Sequence, residues 1–336
     1  MGNEILAFGE VMMRLEVPNF KKLEQSRTLD YLFSGTSVNV LSALGKYGHH
    51  TRLITKLPSN SLGDAAASYL QSLGINTSSI IRGGEFLGMY FLEQGFGLRP
   101  SKVTYSNRRE SAFCQSTIGE YPYDQLFQDA SLIHFCGISL AVTENVRHTV
   151  IEMATEAKRR GITVSFDCNY RPKLWESYEI AKPLYEKMLA LADICFMTEK
   201  DAKYILGMNS RETTRKDQLE TLLPKVMETY KIHTIAGTIR DIISIGKHEL
   251  TGYIIKNGTI HYSKTHRFQV LDRVGCGDAF ASGILHGFIE NMEEKQTVEL
   301  AAAASALAHT TYGDSPISTI EEIQQALETN QIELER

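Results

Sequence analysis

The chain has 336 residues, a formal net charge of −5, 43% hydrophobic residues and 22% charged residues. These values are those of a globular protein, and the acidic balance excludes a global attraction to nucleic acid or anionic membranes. The five cysteines are widely spaced, which favours reduced thiols over a disulfide framework. We see no signal peptide and no apolar stretch of membrane-spanning length, so we expect a cytoplasmic protein.

Short apolar runs alternate with helical patterns along most of the chain. The predicted strands cover residues 5–9, 51–57, 132–135, 163–166, 194–197 and 234–236. The predicted helices cover residues 38–47, 61–73, 144–160, 181–192, 200–206 and 217–230. This alternation predicts an α/β fold, with a central, mostly parallel β-sheet flanked by helices on both faces.

Two regions, residues 10–34 and 87–110, alternate polar and apolar residues without intervening helices. This pattern is typical of strands exposed on one side, and predicts a small β-sheet that covers the main sheet's edge as a lid. Residues 250–262 predict a hairpin that turns at the Asn-Gly pair 257–258. The rest of the chain is mostly helical from Asp278, and its alanine-rich run at 301–308 permits close helix packing.

A glycine-rich turn, Asp272-Arg273-Val274-Gly275-Cys276-Gly277-Asp278, precedes a helix of small residues. Free amides at a helix start attract anions, and glycines let the backbone approach one closely. A carboxylate beside an anion site needs another role, and Asp278 could accept a proton from a hydroxyl that attacks phosphorus. The alternative is that Asp278 caps the helix.

Arginines follow two predicted strand regions and offer planar donors for a carboxylate or phosphate. Arg171 lies in the loop after residues 163–166, where a structural ion pair with Asp167 or another acid is the alternative. Arg108 and Arg109 end the second lid region, where a solvated basic pair is the alternative.

Small residues also precede the first predicted helix, at 34–38, and could let a polyol lie against the backbone. Asn39 would hydrogen-bond the hydroxyls of such a polyol. The alternative is a helix-capping turn with Thr36 or Ser37 as the cap. The sequence contains no P-loop, no GxGxxG after the first strand, and no HExxH or GxSxG motif.

Taken together, these motifs resemble the ribokinase-like (PfkB-type) carbohydrate kinases over residues 4–330, and within them the 2-keto-3-deoxygluconate kinases. The family's late Gly-Ala-Gly-Asp signature is matched by residues 272–278, and its early glycine region by residues 35–39. The branch is matched by residues 9–12, 88–95, 167–175 and 272–275. The resemblance implies one ribokinase-like domain over 1–336, with the lid at 10–34 and 87–110 and a nucleotide-binding part at about 195–336.

The resemblance implies transfer of the γ-phosphate of ATP, with Mg²⁺, to the terminal hydroxyl of 2-keto-3-deoxygluconate, giving the 6-phosphate. Asp278 would be the base, and the amides of Gly275, Cys276 and Gly277 would stabilise the transferred group. The implied substrate-binding residues are Gly35, Asn39, Tyr90, Tyr105, Arg108 and Arg171. The implied nucleotide-binding residues are Thr238, Arg240, Gly275 and Gly277. The alternatives are a fructokinase- or ribokinase-like enzyme for a neutral sugar, and a non-catalytic binding protein.

The sequence departs from the family pattern at two points. Arg273 replaces a threonine that is common in potassium-activated relatives, which puts a monovalent-cation site in doubt. Thr198 and Asp201 stand where the family often carries Asn-x-x-Glu near magnesium, so no metal ligand is assigned. Exposed edges of the small sheet would suit a homo-oligomer.

Overall fold

The computed structural model describes residues 2–244 and 246–328. Its strands are β1 (Glu4–Phe8), β2 (Met12–Val17), β3 (Asp30–Ser34), β4 (His50–Leu57), β5 (Ile80–Arg82), β6 (Gly88–Glu93), β7 (Lys102–Ser106), β8 (Ala130–Cys136), β9 (Thr163–Asp167), β10 (Ile194–Phe196), β11 (Thr234–Ser244), β12 (Lys247–Lys256), β13 (Thr259–Tyr262) and β14 (His266–Gln269). Its α-helices are α1 (Thr36–Lys46), α2 (Ser61–Ser72), α3 (Tyr123–Leu126), α4 (Gly137–Val142), α5 (Glu144–Arg159), α6 (Tyr178–Leu191), α7 (Glu199–Tyr204), α8 (Arg215–Tyr230), α9 (Cys276–Ile289), α10 (Glu294–Ala308) and α11 (Ile320–Glu328).

The main sheet has the strand order β5-β4-β1-β8-β9-β10-β11-β12-β13, and β14 pairs with β12. Strands β5, β4, β1, β8, β9, β10 and β11 run parallel to one another, whereas β12 is antiparallel to β11, β13 and β14. Both faces of the main sheet are buried, as strand β1 shows. Its residues Leu6 and Phe8 face a core that contains α5, α6 and α8. Its residues Ile5 and Ala7 face a second core that contains α1, α9 and α10. Burial on both faces explains the continuous apolar runs of these strands. The predicted parallel sheet with helices on both faces is confirmed.

The antiparallel end of the main sheet is larger than the sequence predicts. The strand expected at 234–236 continues to Ser244 and pairs with β12 over most of its length. Its second half is exposed, so it lacks the apolar run on which the prediction depended. The predicted turn at Asn257-Gly258 is confirmed, with positive φ angles of 51° and 76° as this hairpin type requires.

The small sheet consists of β3, β2, β6 and β7 in that order, and it confirms the predicted accessory sheet. Strands β2 and β6 are parallel, while β3 and β7 pair antiparallel at the two edges. Its inner side carries Met12, Tyr90 and Leu92, which are buried together. This side faces the region where α1 and α9 begin.

Helices α9 and α10 pack very closely, as the alanine-rich sequence predicts. A Cβ atom added at Gly283 would lie 2.5 Å from the Cα atom of Ala301. Helix α9 therefore has little freedom to shift against its neighbour. No described helix combines the length and the apolar character needed to cross a membrane.

Candidate active site

A cavity of about 760 Å³ lies where the carboxyl ends of the parallel strands meet the inner side of the small sheet. Open α/β sheets usually bind ligands at this edge. The cavity brings together ten of the residues that the sequence singles out: Gly35, Asn39, Tyr90, Tyr105, Arg108, Arg171, Thr238, Gly275, Gly277 and Asp278. Cys276 and Arg240 line an adjoining cavity of about 320 Å³. The two cavities share Thr198, Lys200, Thr238, Arg273 and Gly277.

Asp278 lies in the first turn of α9 and does not cap it. The helix begins after Gly275, and no side chain makes a capping hydrogen bond there, so the capping alternative is wrong. The Asp278 carboxylate instead accepts a hydrogen bond of 2.7 Å from Nδ2 of Asn39. Burial raises the pKa of Asp278 well above the ordinary aspartate value, and the carboxylates of Asp167 and Asp314 add to the rise. The side chain is therefore a strong proton acceptor once it is ionised.

The turn before α9 requires glycine at one position. Gly275 has a positive φ of 79°, and an added Cβ would overlap the carbonyl oxygen of Asp314. At Gly277 an added Cβ would meet nothing within 4 Å, so this residue leaves open space at the cavity wall. Burial raises the pKa of the Cys276 thiol to about 12, so the thiol stays protonated and only its backbone is suited to the chemistry.

The start of α1 positions Asn39 from the opposite wall. Gly35 is the residue before the helix, and no side chain makes a capping bond, so the alternative with Thr36 or Ser37 as the cap is wrong. A Cβ at Gly35 would overlap the carbonyl oxygen of Glu10, because the backbone segments touch here. Oγ of Ser315 donates to Oδ1 of Asn39 at 3.2 Å, which orients Nδ2 toward Asp278.

Arg108 is held at the cavity wall by an acid and an aromatic ring. Its Nε donates to Oε2 of Glu10 at 2.8 Å, and its guanidinium lies 4.8 Å from the centre of the Tyr105 ring. The side chain is only 11% exposed, and its Nη1 is buried without a hydrogen-bond partner. Arg109 is exposed and does not line the cavity, so the alternative of a solvated pair fits Arg109 alone.

Arg171 is exposed and free to meet a ligand. Its one hydrogen bond within the described structure is a 3.4 Å contact to the carbonyl of Tyr170. It makes no ion pair with any described carboxylate, so the predicted alternative of a pair with Asp167 is wrong. Arg171 lines the main cavity, and its positive charge opposes the rise in the pKa of Asp167 and in the pKa of Asp278.

The adjoining cavity is rich in positive charge. Its lining includes four cationic side chains, those of Lys200, Arg215, Arg240 and Arg273. Within the described structure, an ion pair is formed by Arg215 alone of these, with Glu199 at 2.7 Å. Burial lowers the pKa of Arg240, and the positive charges of Arg273 and Arg215 lower it further because they repel the Arg240 guanidinium. An anion with several charges would relieve this repulsion.

The model of the pfkB family carbohydrate kinases matches residues 3–321. The chain belongs to this family. It is thus an ATP-dependent carbohydrate kinase, and the family uses a divalent metal with its nucleotide.

Three relatives cover almost the whole kinase. A candidate 2-keto-3-deoxygluconate kinase from Enterococcus faecalis has 37% sequence identity and a TM-score of 0.94, covering 99% of this chain and 98% of its own. The 2-dehydro-3-deoxygluconokinase of Thermotoga maritima has 32% identity and a TM-score of 0.93, covering 97% and 99%. The 2-dehydro-3-deoxygalactonokinase of Haloferax volcanii is 27% identical over 97% of both chains.

Two further carboxylates give the kinase a set of oxygen donors suited to a divalent metal. Asp167 and Asp201 both line the main cavity. Burial and the charge of Asp201 raise the pKa of Asp167 to about 7, so a nearby cation would favour its ionised form. Among the described residues, the one close trio of other metal-type ligands is His49, His286 and Glu290, which does not line the cavity.

Several residues of the kinase's site escape sequence reasoning. Glu10 lies in a quoted motif, but only the fold brings it to Arg108. Arg14 stands in the alternating polar and apolar pattern of β2, and this pattern does not predict a buried charged side chain. Asp314 and Ser315 follow α10 in an irregular segment without a motif, and Lys200 and Arg215 come from separate parts of the chain. Arg273 stands in the quoted glycine-rich turn, but the motif does not predict that it lines a cationic cavity.

Proposed function

We propose that this kinase transfers the γ-phosphate of ATP to the terminal hydroxyl of a 2-keto-3-deoxy sugar acid, with 2-keto-3-deoxygluconate as the favoured substrate and its 6-phosphate as the product. The names of the relatives from Thermotoga maritima and Haloferax volcanii support this substrate class, since both specify 2-dehydro-3-deoxy sugar acids.

The observation that carries the proposal is the unpaired Nη1 of Arg108. A buried donor without a partner costs about 1–3 kcal/mol, more when it is charged. The carboxylate of a sugar acid would satisfy this donor with a charged acceptor, whereas a neutral sugar offers only uncharged oxygens. Glu10 already takes the Nε of Arg108 and fixes the side chain, so the guanidinium is oriented before the substrate arrives.

Asp278 would act as the general base in this reaction. Asn39 donates to its Oδ2, which leaves Oδ1 for the substrate hydroxyl. The attack passes the hydroxyl proton to Asp278 as the new O–P bond forms and the bond to ADP breaks. The amides of Gly275, Cys276 and Gly277 at the start of α9 would stabilise the charge on the transferred group.

The adjoining cavity would hold the nucleotide phosphates. Arg240, Arg273 and Lys200 supply the positive charge there, with Thr238 between the two cavities. Asp167 and Asp201 would hold Mg²⁺, directly or through water. The metal, when bound, neutralises phosphate charge. Arg171, exposed at the mouth of the main cavity, would meet the substrate carboxylate or the incoming phosphate.

A coupled assay of ADP release tests the proposal. The purified kinase is compared on 2-keto-3-deoxygluconate, 2-keto-3-deoxygalactonate, fructose and ribose at equal concentrations. We expect kcat/KM to be largest for one of the two acids and smallest for the neutral sugars. A preference for fructose or ribose would overturn the proposed substrate class while leaving the kinase activity itself intact.

A further inference from the structure

Arg14 is the most deeply buried charge of the small sheet. It lies on β2, its side chain is 0% exposed, and its guanidinium contacts the carboxylates of Asp314, Asp272 and Glu16. Burying a cation costs several kcal/mol unless paired acids and hydrogen bonds compensate. The Asp272 contact measures 3.0 Å, and both terminal nitrogens of the guanidinium are engaged.

The first partner, Asp272, shapes the turn that leads to Gly275. Its Oδ1 accepts hydrogen bonds from the amides of Arg273 at 2.6 Å and Val274 at 3.2 Å, while its Oδ2 receives Arg14. These bonds fix the backbone of the glycine-rich turn just before α9. A shift of Asp272 would therefore displace the amides that we assign to the transferred phosphoryl group.

The second partner, Asp314, joins the same turn to the sugar side of the cavity. Its carboxylate accepts from the Tyr90 hydroxyl at 2.8 Å and from Oγ of Ser34. Both donors belong to the small sheet, and both line the cavity. The backbone of Asp314 packs so closely on Gly275 that no side chain fits there. Asp314 therefore contacts both walls, through its carboxylate on the small sheet and through its backbone at Gly275.

Without a cation between them, Asp272 and Asp314 would repel each other and any phosphate at the turn. Burial alone lowers the pKa of an arginine, but the coulombic attraction of Asp314, Asp272 and Glu16 outweighs it and raises the pKa of Arg14. The guanidinium therefore stays charged throughout the working range of the enzyme. Its planar fork can hold two carboxylates in fixed directions, which a lysine cannot do.

We propose that Arg14 is a positioning residue for phosphoryl transfer: its guanidinium is a built-in cation that binds Asp272 and Asp314 together and so sets the distance between the sugar-binding wall and the anion-binding turn. The proposal rests on the proposed function of the same site. Arg14 does not line the cavity, so in this proposal it contacts neither substrate directly. It acts through Asp272 on the turn and through Asp314 on Tyr90 and Gly275.

The test is chemical rescue of Arg14→Ala, with Arg14→Lys beside it. A small displacement of catalytic groups can cost about 100-fold in rate, so we expect kcat of Arg14→Ala to fall by about that factor while the Kd for ATP changes little. Methylguanidinium, or a monovalent metal ion that fits between the two carboxylates, should restore at least about a tenth of the lost kcat. The wild-type kcat should not respond to either. Arg14→Lys keeps the charge and should recover only part of the rate.

Two controls separate positioning from folding and from the proposed substrate. Arg27→Ala removes an exposed arginine of the same region and should leave kcat unchanged. If Arg14→Ala fails to fold, Asp314→Asn replaces it, because this change breaks one end of the bridge and leaves Arg14 paired with Asp272. Folded Arg14 or Asp314 variants with wild-type kcat would overturn the inference. All ratios are taken on whichever sugar the wild type prefers, so a wrong substrate class leaves the test valid.

Discussion

The two proposed parts of the active site, one for the sugar and one for the nucleotide, hold positive charge in opposite ways. In the sugar part, Arg108 is clamped by Glu10 and Tyr105, and one donor is left for a ligand. In the nucleotide part, Arg240 and Arg273 repel each other. A clamped arginine selects a ligand by shape and direction, because its donor cannot follow a misplaced acceptor. An unclamped cluster binds any group with enough negative charge.

This contrast teaches where specificity and affinity reside. Preorganised groups lower the entropy that binding must overcome, so the sugar part is suited to distinguish related acids. The nucleotide part supplies attraction that salt will screen. Asp278 lies where the two parts meet, on the helix whose first turn faces both cavities.

The largest effect is expected for Asp278→Asn, which changes the residue at which the two parts of the site meet. The amide cannot accept the hydroxyl proton, so we expect kcat to fall by about 10³-fold or more. ATP affinity, measured by calorimetry, should remain near that of the wild type because the cations of the nucleotide part are untouched. Ser315→Ala is the comparison variant, since it removes a hydroxyl that contacts Asn39 but leaves the Asp278 carboxylate in place. Turnover retained in Asp278→Asn would exclude this residue as the base.

The sugar part is tested by Arg108→Gln. Loss of a charged hydrogen bond should raise KM for the sugar acid roughly 10- to 100-fold and leave KM for ATP unchanged. Because the change leaves the buried Glu10 without its cationic partner, the double variant with Glu10→Gln is measured as well. Arg109→Gln, at the exposed neighbour, should have no effect. Equal losses for Arg108→Gln and Arg109→Gln would contradict the assignment.

The nucleotide part is tested by Arg240→Ala, because Arg240 lines the adjoining cavity and not the main one. One cation among several is removed, so KM for ATP should rise by about 10-fold or less, and the rise should shrink at high salt. KM for the sugar should not change. The exposed Arg267→Ala on β14 serves as the control for net charge. If the sugar KM rises instead, the division of the site into two parts is wrong.

The smallest expected effect concerns the pH dependence of stability. Burial raises the pKa of Asp167 from its ordinary 3.8 to about 7. The folded state therefore holds a proton that the unfolded state has lost, and stability falls as pH rises between these values. Asp167→Asn removes this penalty and should stabilise the free enzyme by about 2–3 kcal/mol more at pH 8 than at pH 5. Denaturation with urea at both pH values measures it. The exposed Asp30→Asn should show no such difference.

The sequence predicts the fold well where one signal dominates. Apolar runs and helical periods locate the parallel strands and their helices, because those strands are buried on both faces. The signal fails at β11, where Thr238 to Ser244 form a strand through backbone pairing with little burial. Such pairing leaves no mark in the apolar pattern.

The site is predicted in part, for a similar reason. Glycine-rich turns and asparagine at a helix start are local features, so Gly35, Asn39 and residues 275–278 are found directly. Partnerships across long sequence distances are not local. Arg14 and Asp314 are separated by 300 positions, and only the folded chain brings them into contact. The inward direction of the Arg108 side chain, whose guanidinium lies against the Tyr105 ring, likewise depends on packing.

The tight contact between Gly283 and Ala301 has a consequence for how this enzyme can change. The helix that carries Asp278 cannot be moved to suit a bulkier or shorter substrate without a clash at its back. New substrate preferences must therefore arise in the small sheet, where β7 is exposed and side chains can be exchanged freely. Directed evolution of the sugar preference should be confined to residues 88–110, and libraries at α9 should yield mostly inactive protein.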